Sequence, residues 1–322
     1  MERGLPAPAV EPLSGYRTVN IALDAVKAHW DTLRDNVPEV LLNKRLSRLI
    51  SIESNQLEHV FELGGDSVSR LVRAGFFVAA IEKVQEGSPI RRKEEIVKVL
   101  KDYHLALGVW ERNWAESRSL DERMIKEVHH RLLRATRIRQ DEDYNVLMIP
   151  TRAWRQSVAL NNQRIATIYH RPTEIPASMS RFLSLVDPLV SAASSGELDD
   201  PYSVAAWIHH SLACIHPFQD GNGRVTRIVA SIPLVLCGLP PINIFYEDGI
   251  KYGQLLRQAD SQRDIGPLAT FLHDQALKTA SRLLAICDAD VDPDGDVDGG
   301  LDTVSVAEYE KALATGPVSL PR

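Results

Sequence analysis

Apolar positions recur along most of the chain at the three-and-four spacing of a helix face. Ile21, Val26, Trp30 and Leu33 mark a first stretch, and Leu41, Leu42, Leu46, Leu49 and Ile50 a second. The pattern predicts further helices over residues 68–84, 94–110 and 121–133, with Gly64-Gly65 and Gly87-Ser88-Pro89 as breaks. Ser119 with Glu122 three positions on reads as a capping box opening the last of these. Periodicity changes over residues 144–170. Val146, Leu147, Met148 and Ile149 form a short apolar run, and residues 157–160 and 165–168 flank Asn161-Asn162 as the arms of a β-hairpin would. Helical patterning resumes over 177–193, 202–214, 222–236, 249–259 and 267–286, with a weak helix near 306–313.

The chain therefore reads as mainly α, a helical bundle with one small hairpin. Residues 1–17 are expected to be a disordered leader, because prolines and glycines interrupt any periodicity there. Residues 18–135 form an N-terminal helical region, 136–286 a core that includes the hairpin, and 287–322 an acidic, flexible tail.

Composition narrows the class. A chain of 322 residues with 44% apolar and 25% charged positions can bury a substantial core. The formal net charge of -6 argues against a nucleic-acid partner, and no basic recognition helix is visible. Seven aspartates fall between Asp288 and Asp302. Asp290, Asp292, Asp294, Gly295 and Asp298 match a calcium loop at positions 1, 3, 5, 6 and 9, but Leu301 stands where the bidentate Glu belongs, so a flexible acidic tail is the favoured reading. Cys214, Cys237 and Cys287 contain no CxxC pair and read as reduced, buried thiols. With no secretory h-region and no apolar run of spanning length, a cytoplasmic protein is expected, the nucleus being the other option.

Reactive side chains concentrate at Ile215–Arg227. Pro217 and Gly221 should stop the preceding helix, and Val225, Ile228, Val229 and Ile232 start another. Asp220-Gly221-Asn222-Gly223 is then a turn opening onto a helix N-terminus, where unpaired N–H groups attract phosphate. Both glycines permit close backbone approach. Arg224 and Arg227, three apart, can fork a polyphosphate. Asp220 offers the single carboxylate that a phosphate-bridging Mg²⁺ takes from protein, and His216 is a base that titrates near neutrality. These parts suit nucleotidyl transfer, whereas no GxxxxGK(S/T) loop is present.

Here the sequence resembles the Fic family, whose motif HxFx(D/E)GNGRxxR is met at His216, Phe218, Asp220, Gly221, Asn222, Gly223, Arg224 and Arg227. The resemblance implies a Fic-type helical bundle with a β-hairpin flap and the transfer of AMP from ATP to a Ser, Thr or Tyr hydroxyl of a protein. It implies His216 as general base, Asp220 as magnesium ligand and Gly221, Asn222 and Gly223 as the phosphate loop. Arg224 would serve the β-phosphate region and Arg227 the γ-phosphate, with Phe218 as an anchor. Pro150 to Leu160 resembles the segment leading into the flap, with Thr151 where Gly is usual. The implied target-binding edge is Gln156, Ser157, Val158, Ala159 and Leu160, which would hold a protein segment by strand addition. Residues 252–260 and 267–272 resemble the helices closing the adenosine pocket, which implies nucleotide contacts from Tyr252 and Asp260, the latter standing where the family often has Asn. Ser54 and Glu58 fit the (S/T)xxxE(G/N) pattern of an inhibitory helix (about residues 40–62), with His59 in place of Gly or Asn, and imply that Glu58 pairs with Arg227.

The same motif supports alternatives. One is removal of AMP, with Glu58 positioning water; another is use of a different nucleotide or phosphate donor. A non-catalytic nucleotide-sensing module is the alternative from another class. A homodimer is compatible with the sequence.

Overall fold

The computed structural model describes residues 10–117, 119–140, 146–157, 159 and 169–288. Eleven α-helices and one two-stranded ladder occur among these residues. Their order is α1 (Asp24–Asn36), α2 (Glu39–Leu57), α3 (Gly65–Ala74), α4 (Lys93–Ser117), α5 (Glu122–Leu132), β1 (Ile138–Gln140), β2 (Val146–Met148), α6 (Ile175–Ser195), α7 (Pro201–Ile215), α8 (Asn222–Ala230), α9 (Ile232–Leu236), α10 (Gly249–Gln262) and α11 (Gly266–Asp288).

Helix α7 is the axis of the molecule. It packs against α6, α8, α9, α10 and α11. Its sequence is apolar on every side, and residues from Pro201 to Leu212 are all buried, which is the pattern of a helix surrounded by others. Asp200 caps its start by accepting a hydrogen bond from the Ser203 N–H at 3.0 Å, with Pro201 in the first turn where its missing N–H costs nothing. One side of α7 receives α8, which also meets α5. Helix α2 packs on α3, α4 and α11 and reaches the short 3-10 turn Tyr246–Asp248.

Several expectations need correction. The helix expected over 68–84 ends at Ala74, because Gly75 takes a φ of 110°. The helix expected over 222–236 is two: α8 stops at Ala230 and α9 begins at Ile232, with Pro233 in its first turn. Asp121, not Ser119, caps α5, its carboxylate accepting from the Met124 N–H at 2.7 Å. The leader expected to be disordered through residue 17 is packed from Val10 onward. Trp207, fully buried on α7, donates its Nε1–H to the Glu11 carbonyl at 3.0 Å, and Arg17 bridges to Asp264 through the backbone. The three cysteines are free but half-buried rather than buried.

The ladder also differs. Strand β2 contains the apolar run read at Val146, yet it pairs antiparallel with the upstream strand β1, in register Ile138 to Met148. Of the hairpin expected around Asn161-Asn162, only Ser157 and Ala159 of the first arm are described, and neither is in a strand; the rest lies outside the described residues, as do residues 1–9 of the leader, the acidic tail from 289 and its candidate calcium loop. No helix among the described residues is long and apolar enough to cross a membrane.

The tie between Trp207 and Glu11 gives a stability test. Trp207→Phe is expected to cost about 1–3 kcal/mol, from lost volume at a fully buried site and an orphaned Glu11 carbonyl. Urea denaturation checks it, and a loss under about 0.5 kcal/mol would mean that the N-terminal segment contributes nothing to the fold.

Candidate active site

Helix α7 ends because His216 adopts the left-handed conformation (φ 49°, ψ 59°), its N–H still bonded to the Leu212 carbonyl at 2.9 Å. Five residues later Gly221 turns left-handed again at φ 77° and becomes the N-cap of α8. A glycine suits that turn, and Asn222 locks it. The Asn222 Oδ1 accepts from the Phe218 N–H at 2.8 Å, while its Nδ2 donates to the Phe218 carbonyl at 2.7 Å. Phe218 is fully buried, its ring stacked 3.8 Å from that of His129. His129 also hydrogen-bonds the Asp220 carbonyl through Nε2 at 3.1 Å. Burial pushes His129 down to about 4, so it is a neutral strut under the turn.

The His216 side chain is fixed from outside the motif. Tyr169 stacks on it with ring centroids 3.9 Å apart. Arg155 donates from Nε to the His216 carbonyl at 2.6 Å, from Nη1 to the Ser157 carbonyl at 2.7 Å, and from Nη2 to the His170 carbonyl. One guanidinium thus joins the end of α7 to both sides of the segment between β2 and α6. Burial, then the Arg155 charge, lower the His216 imidazole to about 4 against the pull of the Ala213 carbonyl, Glu58 and Asp220. Near neutral pH it is therefore an uncharged base.

Arg224 and Arg227 are almost wholly buried and point toward α2. Arg224 donates to Asn55 Oδ1 at 3.1 Å and lies 3.5 Å from an Asp220 oxygen. Arg227 donates from Nε to Ser54 Oγ at 2.9 Å and from Nη2 to the Ser54 carbonyl at 3.0 Å, and pairs through Nη1 with Glu58 at 2.8 Å. The same Nη1 reaches the Tyr252 hydroxyl at 3.5 Å, which is hydrogen-bonded to His209 Nε2 at 2.7 Å. Burial alone would depress Arg227; the Glu58 carboxylate outweighs it and holds the guanidinium above its usual range. Glu58 is the C-cap of α2, and its carboxylate lies flat on Gly223: a Cβ there would come within 2.1 Å of Oε1. His59 next to it has a φ of 50°, a conformation that glycine and asparagine adopt at lower cost.

A cavity of about 730 Å³ opens beside this arrangement. Its wall includes His216, Asn222, Gly223, Glu58, Tyr169, Tyr252 and Asp260. Asp220, Arg224, Arg227 and Ser54 are not on that wall; the arginines lie behind it with Ser54, and Glu58 stands between Arg227 and the opening. Gln156 and Ser157 are exposed and in no strand, Ala159 is half-buried, and Val158 and Leu160 lie outside the described residues. Reading the sequence missed His129, Tyr169, Asn55, His209 and the role of Arg155. Arg155 alone had a signal, as the arginine that follows Trp154 in the Pro150 to Leu160 segment.

Residues 119–234, from the approach to α5 into α9, match the Fic/DOC family model. The protein adenylyltransferase Fic of Drosophila persimilis is 33% identical over 104 residues, which are 32% of this chain and 20% of that protein. That of Nematostella vectensis is 37% identical over 89 residues, 28% and 21% of the respective chains. The match thus spans about a fifth of the length of these relatives. A Fic domain containing signaling protein from Bacteroides thetaiotaomicron shares the fold, with a TM-score of 0.60 at 20% identity over 83% of this chain and 97% of its own.

The double hydrogen bond of Asn222 makes a measurable claim. Asn222→Ala leaves the buried N–H and C=O of Phe218 without their partner and is expected to cost about 2–4 kcal/mol. Equilibrium unfolding measures it; a cost below about 1 kcal/mol would mean that His129 and Phe218 hold the turn unaided.

Proposed function

We propose that this chain is a protein adenylyltransferase that moves AMP from ATP to a Ser, Thr or Tyr hydroxyl of a protein. The observation that carries the reading is an uncharged His216, stacked and anchored on the wall of a nucleotide-sized cavity beside a left-handed Gly221 turn that opens α8. Relatives 33–37% identical over 104 and 89 residues are named protein adenylyltransferase Fic. In the proposed reaction the target hydroxyl oxygen attacks the α-phosphorus. The bond from that phosphorus to the bridging oxygen breaks, pyrophosphate leaves, and His216 takes the hydroxyl proton. Gly221, Asn222 and Gly223 would receive phosphate on backbone N–H groups at the α8 N-terminus. Tyr252 and Asp260 would line the adenosine end.

Asp220 has the chemistry for Mg²⁺: one carboxylate, a quarter exposed, on a turn beside a helix N-terminus. A bound magnesium would supply charge neutralisation on the phosphates. The target protein would add a strand along Gln156–Leu160, whose base Arg155 fixes at Ser157. The free thiols suit a reducing, cytoplasmic setting.

Ser54 and Glu58 act in this reading as a restraint. A γ-phosphate reaching for Arg227 meets a guanidinium already satisfied by Glu58 and Ser54, so ATP would bind in an unproductive pose. Because Glu58 and His216 share one cavity wall, removal of AMP with Glu58 positioning the water is a second reading.

His216→Ala is expected to abolish transfer from labelled ATP while leaving ATP affinity within about threefold by calorimetry, since the imidazole acts on the hydroxyl. Full activity in that variant excludes His216 as the base. Glu58→Gly should raise transfer about tenfold to a hundredfold, or roughly 1.4–2.8 kcal/mol at the barrier. Equal rates would make Ser54 to Glu58 an ordinary helix end. Loss of AMP release from a modified target in the same variant would favour the second reading.

A further inference from the structure

In the wall of the cavity stand three side chains with the donor atoms of a transition-metal site. His210 and Cys214 are four apart on α7 and so project from one face of that helix. Asp260 comes from α10, which packs against α7. His210 Nε2 lies 3.5 Å from Cys214 Sγ, and Asp260 Oδ1 lies 4.0 Å from each of them. All three residues line the cavity.

These separations can be compared with what a metal requires. Tetrahedral zinc has Zn–S near 2.3 Å and Zn–N near 2.0–2.1 Å, which together put sulfur and nitrogen about 3.5 Å apart. The His210–Cys214 pair already has that spacing. Carboxylate oxygens belong about 3.4–3.6 Å from the other two ligands, so Asp260 must close by roughly half an ångström. Its side chain is 41% exposed and free of the core, whereas His210 is buried with the Tyr16 ring edge-on against it. The rigid pair is thus on the central helix and the adjustable ligand on the rim. The donor set excludes hard cations, since magnesium and calcium take oxygen ligands and not thiolate or imidazole. Thiolate, imidazole and carboxylate together select zinc or a chemically similar divalent metal, with three protein ligands and an open fourth position.

We propose that His210, Cys214 and Asp260 form a zinc-binding site in the wall of the cavity, and that zinc held there opposes nucleotide binding. The second half rests on the proposed adenosine pocket. A bound zinc draws Asp260 toward α7, and a fourth ligand facing the cavity takes up space that the nucleoside needs. Nothing in the proposed transfer uses these three groups together, so the site is separate from the Asp220 carboxylate in position and in chemistry.

Cobalt(II) is the probe, because a cobalt–thiolate bond gives a charge-transfer absorption that no oxygen site produces. The full-length protein, stripped with EDTA, is titrated with Co²⁺ and then with Zn²⁺. The expected result is one equivalent of cobalt with a thiolate band that zinc abolishes. Cys214→Ser should remove the band, Cys237→Ser should keep it, and Asp260→Asn should weaken zinc binding by roughly tenfold or more, a loss that even outer-shell changes reach. No band in the wild-type protein, or an undiminished band in Cys214→Ser, overturns the site. Adenosine, which has no phosphates to chelate metal, is then titrated into the stripped and zinc-loaded protein. Weaker binding to the loaded form supports the opposition, and equal affinity overturns it. Adenosine that binds neither form, with the cobalt band present, counts against the nucleotide pocket and leaves the metal site standing.

Discussion

A guanidinium taken out of water keeps its charge, because its proton is held too tightly to be given up. Arg224 and Arg227 are both almost completely buried, so the protein must supply acceptors for two permanent cations in its interior. Helix α2 supplies most of them. Asn55 serves Arg224, and Ser54 and Glu58 serve Arg227. The buried Ser54 and Asn55, and Glu58 at the C-cap of α2, answer that requirement. Without α2, Arg227 would lose Glu58 and Ser54 and Arg224 would lose Asn55, leaving buried guanidinium groups short of acceptors, which is among the costlier arrangements a fold can contain.

The loop between α7 and α8 is held on the other side by two neutral groups and one further guanidinium. Asn222 stands in for a backbone segment, His129 carries the Asp220 carbonyl and the Phe218 ring, and Arg155 collects the carbonyls of His216, Ser157 and His170. The turn is therefore rigid before any ligand arrives, the condition under which backbone N–H groups and a neutral imidazole act without reorganising. An ion pair governs the α2 side, and hydrogen-bond geometry governs the side of α5 and of the segment between β2 and α6.

Much of this was legible in the chain. Helical periodicity located most of the helices, and the twelve-residue run from His216 to Arg227 marked the turn, its glycines and its arginines. The pairing of Glu58 with Arg227 was expected from a spacing of four and a family pattern, and the two groups do meet. Other features left no local trace. His129 and Tyr169 are single aromatic residues whose neighbours are set by the fold, and no periodicity distinguishes them from core positions. The division between α8 and α9 depends on Pro233, which reads as a helix starter or a breaker according to where the preceding helix ends. Strand β1 was missed because three residues are too few to show alternation. His59 looked like a departure from a pattern; in the structure it takes the left-handed turn that the pattern's Gly or Asn would take, so the backbone requirement is met at some cost in strain.

Gly223 carries a consequence for how this protein can change over generations. The carboxylate of Glu58 rests where a side chain at 223 would begin, so any replacement there drives that carboxylate away from Arg227 and, in the same step, thickens the turn at its most intimate point. Mutational drift has two unequal routes out of this contact. Alterations on the loop side damage both partners at once, whereas alterations on the α2 side touch one and spare the turn. Changes that loosen the two elements from each other while keeping the turn intact therefore have the last turn of α2 as their least disruptive place, a single helix end that can be altered without rebuilding the site beneath it.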